Sequence, residues 1–314
     1  MSDVDAGDLV PPEPGRAPGR RRWQAAVGLA GLAGLAVAAY TTAGDLDDQA
    51  LPSAGALAAA LVLQVVALLL AARAWIALFP PDADRRALAG GLYTSQLAKY
   101  LPAGGLLQVA GQVTIAGQQT GMARAALRLP VFSLCLVAAG TTLGSLLVVA
   151  GDLPAWARAL AATGVLVPAV LHRRLLAAVL RLAARVVRRT PPADALPPQA
   201  AILRAYAYGL GNSAAAGVAF AVLVVDGADV NPVLAVAAFC AAWVAGYLVV
   251  PVPSGIGVRE AVLVAALPGM STAALLAASV AHRLLGIVAE AGLAGTSRLR
   301  ARSERARSER AAAR

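Results

Sequence analysis

The stretch "VPSGIGVREA" (residues 252–261) decides how this chain is read. It follows the apolar run "AWVAGYLVVP" (242–251) and leads into "AVLVAALPGM" (261–270). A proline and two glycines interrupt a segment otherwise greasy enough for a buried helix, and Arg259 and Glu260 follow at once. A helix broken where polar residues are rarest leaves backbone N–H and C=O groups to be satisfied by something other than lipid.

The setting makes that break informative. The chain has 314 residues, of which 59% are hydrophobic and 14% charged, with a mean hydropathy of +0.69. A soluble domain of this length needs more polar surface. Repeated apolar runs of about 20 residues point to a polytopic all-α membrane protein of about six spanning helices. The net charge of +10 is concentrated in arginine-rich segments between those runs. In a membrane protein that pattern marks cytoplasmic loops, and no nucleic-acid partner is expected. Cys135 and Cys240 lie in apolar runs without disulfide or zinc spacing.

Charge in the loops orients the spans. Residues 1–22 form a Pro/Gly-rich tail, expected to be disordered and cytoplasmic, that ends in Arg20–Arg22. Spans are expected at about 24–43, 53–79, 126–150, 155–171, 202–225 and 272–294. "GDLDDQALP" (44–52), "GDLP" (151–154) and "DGADVN" (226–231) lack Lys and Arg and fall outside. Arg85, Arg86, Arg124, Arg128 and the basic amphipathic segment 172–199 fall inside, as does the basic tail 298–314. Both termini are thus cytoplasmic, and Arg158 is the exception to the rule. The transmembrane domain is expected over 23–297.

Two segments do not fit simple spanning. Residues 87–122 have cytoplasmic charges at both ends, and 232–270 have outer loops at both ends. Each holds one break, "YLPAGG" (100–105) and "VPSGIG" (252–257). The reading that follows is two re-entrant helical hairpins entering from opposite faces. "PAGGLLQVA" (102–110) aligns with "PSGIGVREA" (253–261), so halves 53–150 and 202–294 are expected to form an inverted repeat joined by 172–199. Pro102, Gly104, Gly105, Pro253, Gly255 and Gly257 are its expected hinge residues.

No catalytic constellation, nucleotide loop or metal spacing stands out. No enzyme activity, cofactor or metal is expected, and His172 and His282 have no ligand spacing. The intramembrane polar groups carry the information. A charge at the bilayer centre costs about 2.5–3.5 kcal/mol on insertion scales, so it pairs or lines a cavity. Arg259, Glu260, Arg283 and Lys99, with Gln108 and Gln112, are the candidate substrate-binding residues. Broken helices aim positive dipole ends inward, and the cations outnumber Glu260, which suits an anionic headgroup. An alternative stays open: Arg259 and Glu260 form a structural pair pinned to Arg283 and Glu290. Gln64 is expected to make a helix–helix contact and His282 to be a satisfied buried histidine.

"SQLAKYLPAGGLLQVAGQVTIAGQQTGMARAAL" (95–127), "VPSGIGVREAVLVAALPG" (252–269) and "SVAHRLLGIVAEAG" (279–292) together resemble the lysylphosphatidylglycerol synthase transmembrane-region family. The resemblance covers about 24–297, and its most specific part is the P-x-G-x-G-V-R-E run. It implies a flippase-like membrane domain with re-entrant segments. It carries Pro253, Gly255, Gly257, Arg259 and Glu260 as core-site residues, Arg283 in the last helix, and Pro102, Gly104 and Gly105 in the first motif. Gln108 and Gln112 stand here where that motif often continues to an arginine. No soluble aminoacyltransferase domain accompanies it in these residues, so synthase activity is not expected.

Three functions follow as expectations. The first is a flippase in a bacterial-type plasma membrane for an anionic phospholipid or polyprenyl-phosphate-linked lipid. The second is a non-transporting partner of a lipid-modifying enzyme or membrane glycosyltransferase. The third is a transporter of a small soluble anion.

Overall fold

The structure is a computed structural model that describes residues 52–100, 104–147, 155–187, 196–225, 229–248 and 257–312. Among these every regular element is helical. In chain order they are α1 (Ala54–Ala77), α2 (Arg85–Gln96), a 3-10 turn (Leu97–Tyr100), α3 (Gly104–Thr120), α4 (Met122–Gly144), α5 (Ala155–Thr163) and a second 3-10 turn (Val167–Leu171). Then come α6 (Arg173–Val187), α7 (Gln199–Val225), α8 (Pro232–Leu248), α9 (Val258–Ala266) and α10 (Thr272–Ala312).

Four helices are long and apolar enough to cross a membrane: Ala54–Ala77, Met122–Gly144, Gln199–Val225 and the Thr272–Glu304 part of α10. With their large exposed apolar side chains, such as Val62 on α1 and Val288 on α10, they make this an all-helical membrane-type protein. The expected span at 24–43 lies outside the described residues. The expected span at 155–171 is different from what the sequence suggested. There α5 stops after nine residues, about 14 Å of helix against a hydrocarbon core of about 30 Å. Gly164 then turns the chain against Thr141 of α4, and Pro168 sits at the start of the 3-10 turn, where it has no amide to continue a helix. At the other end, α10 runs 41 residues, about 62 Å, and carries most of the expected basic tail as continuous helix.

Helix starts follow local chemistry. Ser53 caps α1 through the Ala56 amide at 3.2 Å. Asp84 caps α2 through the amides of Arg86 and Ala87 at 2.9 and 3.1 Å. Asn231 accepts from Val233 at 2.9 Å ahead of α8. Each uses a side-chain oxygen for an amide the helix leaves unpaired.

Small residues bring the helices together. On α7, Ala205, Gly209, Ser213, Gly217 and Ala221 recur every fourth position and are buried. Gly209 meets Ala139 and the Cys135 carbonyl of α4, and Gly217 meets Val236 and Cys240 of α8. Gly144 of α4 lies against the backbone of Ala241 in α8. In lipid, where apolar burial gives no drive to associate, close backbone approach is a main source of helix packing energy.

The packing has an exchanged pattern. α1 packs on α7 as the largest helix pair. α4 then packs on α7 and α8, and α10 packs on α1 and α2. α1–α4 and α7–α10 have the same order, long–short–short–long, and the last helix of each set rests on the first two of the other. One apolar core joins the C-terminal half of α1 with α2, α4 and the start of α7. A second joins the N-terminal half of α1 with α8, α9, the end of α7 and the start of α10.

α6 has its apolar side split. Leu176 is buried, while Leu175, Val179 and Leu182 are exposed beside exposed Arg173, Arg174 and Arg181. α6 covers the first part of the segment 172–199, of which residues 188–195 lie outside the described residues.

Candidate functional site

α10 organises the buried charges. Ser279, Arg283 and Glu290 are four and then seven residues apart, which puts them on one helix face. Leu284 and Val288, on the opposite side, are 57% and 56% exposed. The polar face therefore turns inward while the apolar face is bare.

Arg283 meets Glu260 at the start of α9. Gly257 holds φ at +86°, a conformation that favours glycine, and caps the helix. Glu260 reaches back to accept from the Gly257 amide through Oε2 at 2.7 Å. Its Oε1 accepts from Ser279 Oγ at 3.0 Å and from Arg283 Nη2 at 2.8 Å. Both side chains are largely buried, at 15% and 11% exposure. The carboxylate thereby ties the post-break helix to α10 and satisfies the first orphan amide of α9.

Arg259 takes a different direction. Its guanidinium lies 5.2 Å from the centroid of the Phe239 ring of α8. His282 packs against the same ring, with its centroid 4.5 Å from that of Phe239. His282 Nε2 lies 2.8 Å from Gln64 Nε2 and 3.1 Å from the Ala216 carbonyl. The Gln64 amide also donates to the His282 carbonyl at 3.2 Å. Gln64 thus links α1 to α10, and His282 has partners on α1 and α7. A crevice of about 20 Å³ opens beside them, lined in part by Asn212, Ser213, Ala216 and Trp243. It has room for roughly one water and is too small for a headgroup.

The second charged pair lies further along the same face of α10. Lys99, in the 3-10 turn just before the first break, forms an ion pair with Glu290. Lys99 Nζ also reaches Gln96 Oε1 at 3.4 Å, and Gln108 Nε2 donates to that same oxygen at 3.0 Å. Gln112 is 3% exposed, and its Nε2 is buried without a hydrogen-bond partner.

Of the residues singled out from sequence, Arg259, Glu260 and Arg283 lie in one cluster and Lys99 and Gln108 in another. Gln112 sits one turn beyond Gln108 on α3. Gly104 and Gly105 open α3, and Gly257 caps α9. Pro102, Pro253 and Gly255 lie outside the described residues. Three contributors were missed, Ser279, Gln96 and Phe239, and one further buried cation, Arg128, was misread. Ser279 was signalled by its i, i+4 spacing to Arg283, and Gln96 by lying three residues before Lys99. Arg128 looked like a loop charge. It sits inside α4, 6% exposed, with its guanidinium 5.0 Å from the Phe79 ring. Phe239 carried no local signal.

The two clusters hold three cations, Lys99, Arg259 and Arg283, against two carboxylates, Glu260 and Glu290. With all ionised, three minus two leaves one positive charge. No protein-family model matches the chain, and no curated protein matches it in sequence.

Proposed function

We propose that this protein moves an anionic lipid between leaflets of a bacterial-type plasma membrane, with both termini cytoplasmic. The reading is of a flippase-like domain of the lysylphosphatidylglycerol synthase transmembrane-region kind. One observation carries it. The 3-10 turn Leu97–Tyr100 and the helix α9 (Val258–Ala266) each deliver a charged residue to the same inward face of α10. The surplus positive charge suits one phosphodiester monoanion. The short paired helices α2–α3 and α8–α9 support two re-entrant hairpins, and the exchanged packing of α1–α4 and α7–α10 supports an inverted repeat. In this reading Arg283 and Arg259 receive the phosphate, Lys99 joins them, and Gln108 and Gln112 line the route. Glu260 sets the position of Arg283.

The test is reconstitution. Purified protein in phosphatidylcholine vesicles carrying a fluorescent phosphatidylglycerol should expose inner-leaflet probe to external dithionite faster than empty vesicles do. R259A and R283A should each slow this at least tenfold while retaining helical content. Equal rates in folded variants and native protein eliminate the proposed phosphate site.

A second reading is favoured by a separate feature. The end of α10 carries exposed Arg298, Arg300, Arg302, Arg307 and Arg310. That helix could dock a lipid-modifying enzyme or glycosyltransferase. It predicts that ending the chain after Ser297 abolishes co-purification of such a partner while leaving vesicle activity absent in every form. A soluble-anion carrier instead predicts phosphate uptake into vesicles without probe movement.

A further inference from the structure

The two inward-facing ion pairs of α10 differ in how fully their carboxylates are used. Both oxygens of Glu260 accept hydrogen bonds. Glu290 is half satisfied. Its Oε1 accepts from Lys99, whereas Oε2 is buried with no hydrogen-bond partner, on a side chain 6% exposed. A bare ionised oxygen in a low-dielectric interior is among the costliest polar arrangements. A pair kept only for architecture has no reason to leave it so, and Glu260 shows how the fold satisfies one.

We propose that Glu290 is the coupling-proton site of the transport cycle, and that its protonation releases Lys99 to take the phosphate of the lipid. This rests on the anionic-lipid reading above. The step is simple in its balance. A proton from the aqueous phase forms an O–H bond at Oε2, turning that oxygen from acceptor only into a donor. The carboxyl becomes neutral, Lys99 keeps its charge, and no bond of the lipid changes. The charge of the buried set rises by one, and one phosphodiester monoanion cancels that rise. Proton and lipid therefore enter the core together without net charge movement. A metal cation fits the place poorly, because the Lys99 ammonium repels it.

The surroundings of Glu290 leave Lys99 as its control. Among the described residues Lys99 is its hydrogen-bonded partner. On the other elements packed against α10, Arg259 and Glu260 of α9 belong to the cluster two turns back, with Arg283 and His282 of α10 itself. Arg86 of α2 is held by Glu304. Arg73 of α1 faces Tyr93 of α2. On α7 the Tyr206 hydroxyl bonds Thr142 of α4. Lys99 lies in the 3-10 turn Leu97–Tyr100 that follows α2.

Two measurements on the full chain in phosphatidylcholine–phosphatidylglycerol vesicles test this. Infrared difference spectra on acidification should show a deuterium-sensitive protonated-carboxyl band that is missing in E290Q. A band kept in E290Q or absent from the native protein overturns the proposal. Dithionite assays with fluorescent phosphatidylglycerol should show native rates rising several-fold under a proton gradient, and E290Q rates that ignore it. A native rate indifferent to the gradient overturns coupling and leaves lipid movement standing. No probe movement at all overturns lipid transport, and the infrared band still decides Glu290.

Discussion

Glu260 and Arg283 meet at 2.8 Å across the gap between α9 and α10, and the same carboxylate caps α9 through Gly257. One side chain therefore fixes both the start of the post-break helix and its distance from the last helix. Removing it leaves Arg283 buried without its counter-charge.

E260A is expected to destabilise the protein by about 3–5 kcal/mol, the usual cost of orphaning one member of a buried pair. Pairing it with R283M should recover most of that loss, because no buried charge is then left over. Thermal unfolding of the single and double variants forms a cycle whose coupling term measures the pair. Independent, additive losses would show that the two side chains do not depend on each other.

Gly257 lies at φ +86° with nothing within 4 Å of the place a Cβ would occupy. Any cost of G257A is thus backbone strain alone, about 1–3 kcal/mol at φ +86° and ψ −46°, outside the left-handed helical region. Equal stability of both forms in a denaturant titration would place the residue in another conformation.

At the α4–α8 contact, the nominally worse clash should matter less. A Cβ at position 140 comes within 2.8 Å of Val244 Cγ2, an atom of a side chain that can rotate. A Cβ at position 144 comes within 3.2 and 3.3 Å of the Ala241 backbone, which cannot move without α8. G144A is expected to lose about 1–3 kcal/mol and G140A less. The reverse order in thermal unfolding would mean that α8 shifts as freely as a side chain.

How much of this was visible beforehand differs by residue. Glu260 and Arg283 stood out because charges are rare in apolar runs, and the break at 252–257 marked where backbone would need partners. Contact with Arg283 was one of the alternatives the sequence left open, but not that Glu260 alone of the two would make it. Which residue Glu260 reaches is set by how α9 and α10 are rotated against each other, and sequence spacing says nothing of that rotation. Arg259 is adjacent to Glu260 in the chain, yet one helical step turns it about 100° away, toward Phe239. The segment 155–171 was apolar enough to be read as a span because hydropathy averages over Gly164 and Pro168. The continuation of α10 through the tail was hidden for the opposite reason. Its charges suggest a loop, although Glu304 has Arg300 four residues before it and Arg307 three after it, a spacing that supports helix.

The exposed pair Arg86–Glu304 offers a control on all of these. Its side chains are 84% and 54% exposed, so solvent and salt screen it. Exposed ion pairs contribute about 0–1 kcal/mol, and E304Q should leave the unfolding temperature unchanged within error.

Gln64 gives the sharpest contrast to that control. Its amide is 7% exposed and links α1 to both the ring and the carbonyl of His282. Q64L keeps the volume roughly constant and removes the donor, which leaves the His282 carbonyl without that bond and lets the ring Nε2 donate to the Ala216 carbonyl, a role it cannot hold while it accepts from Gln64. The expected loss is about 1–3 kcal/mol, the cost of leaving a buried polar group short of a bond. Because α1 and α10 are also joined by apolar packing, the loss should lower the unfolding temperature without changing helical content. The companion variant H282F removes the need for the donor. Combining Q64L with H282F should therefore cost less than Q64L alone if the ring is the group that Gln64 serves. If the double variant is instead less stable by the full sum of the two, Gln64 is held by the backbone carbonyl of His282 and not by its ring.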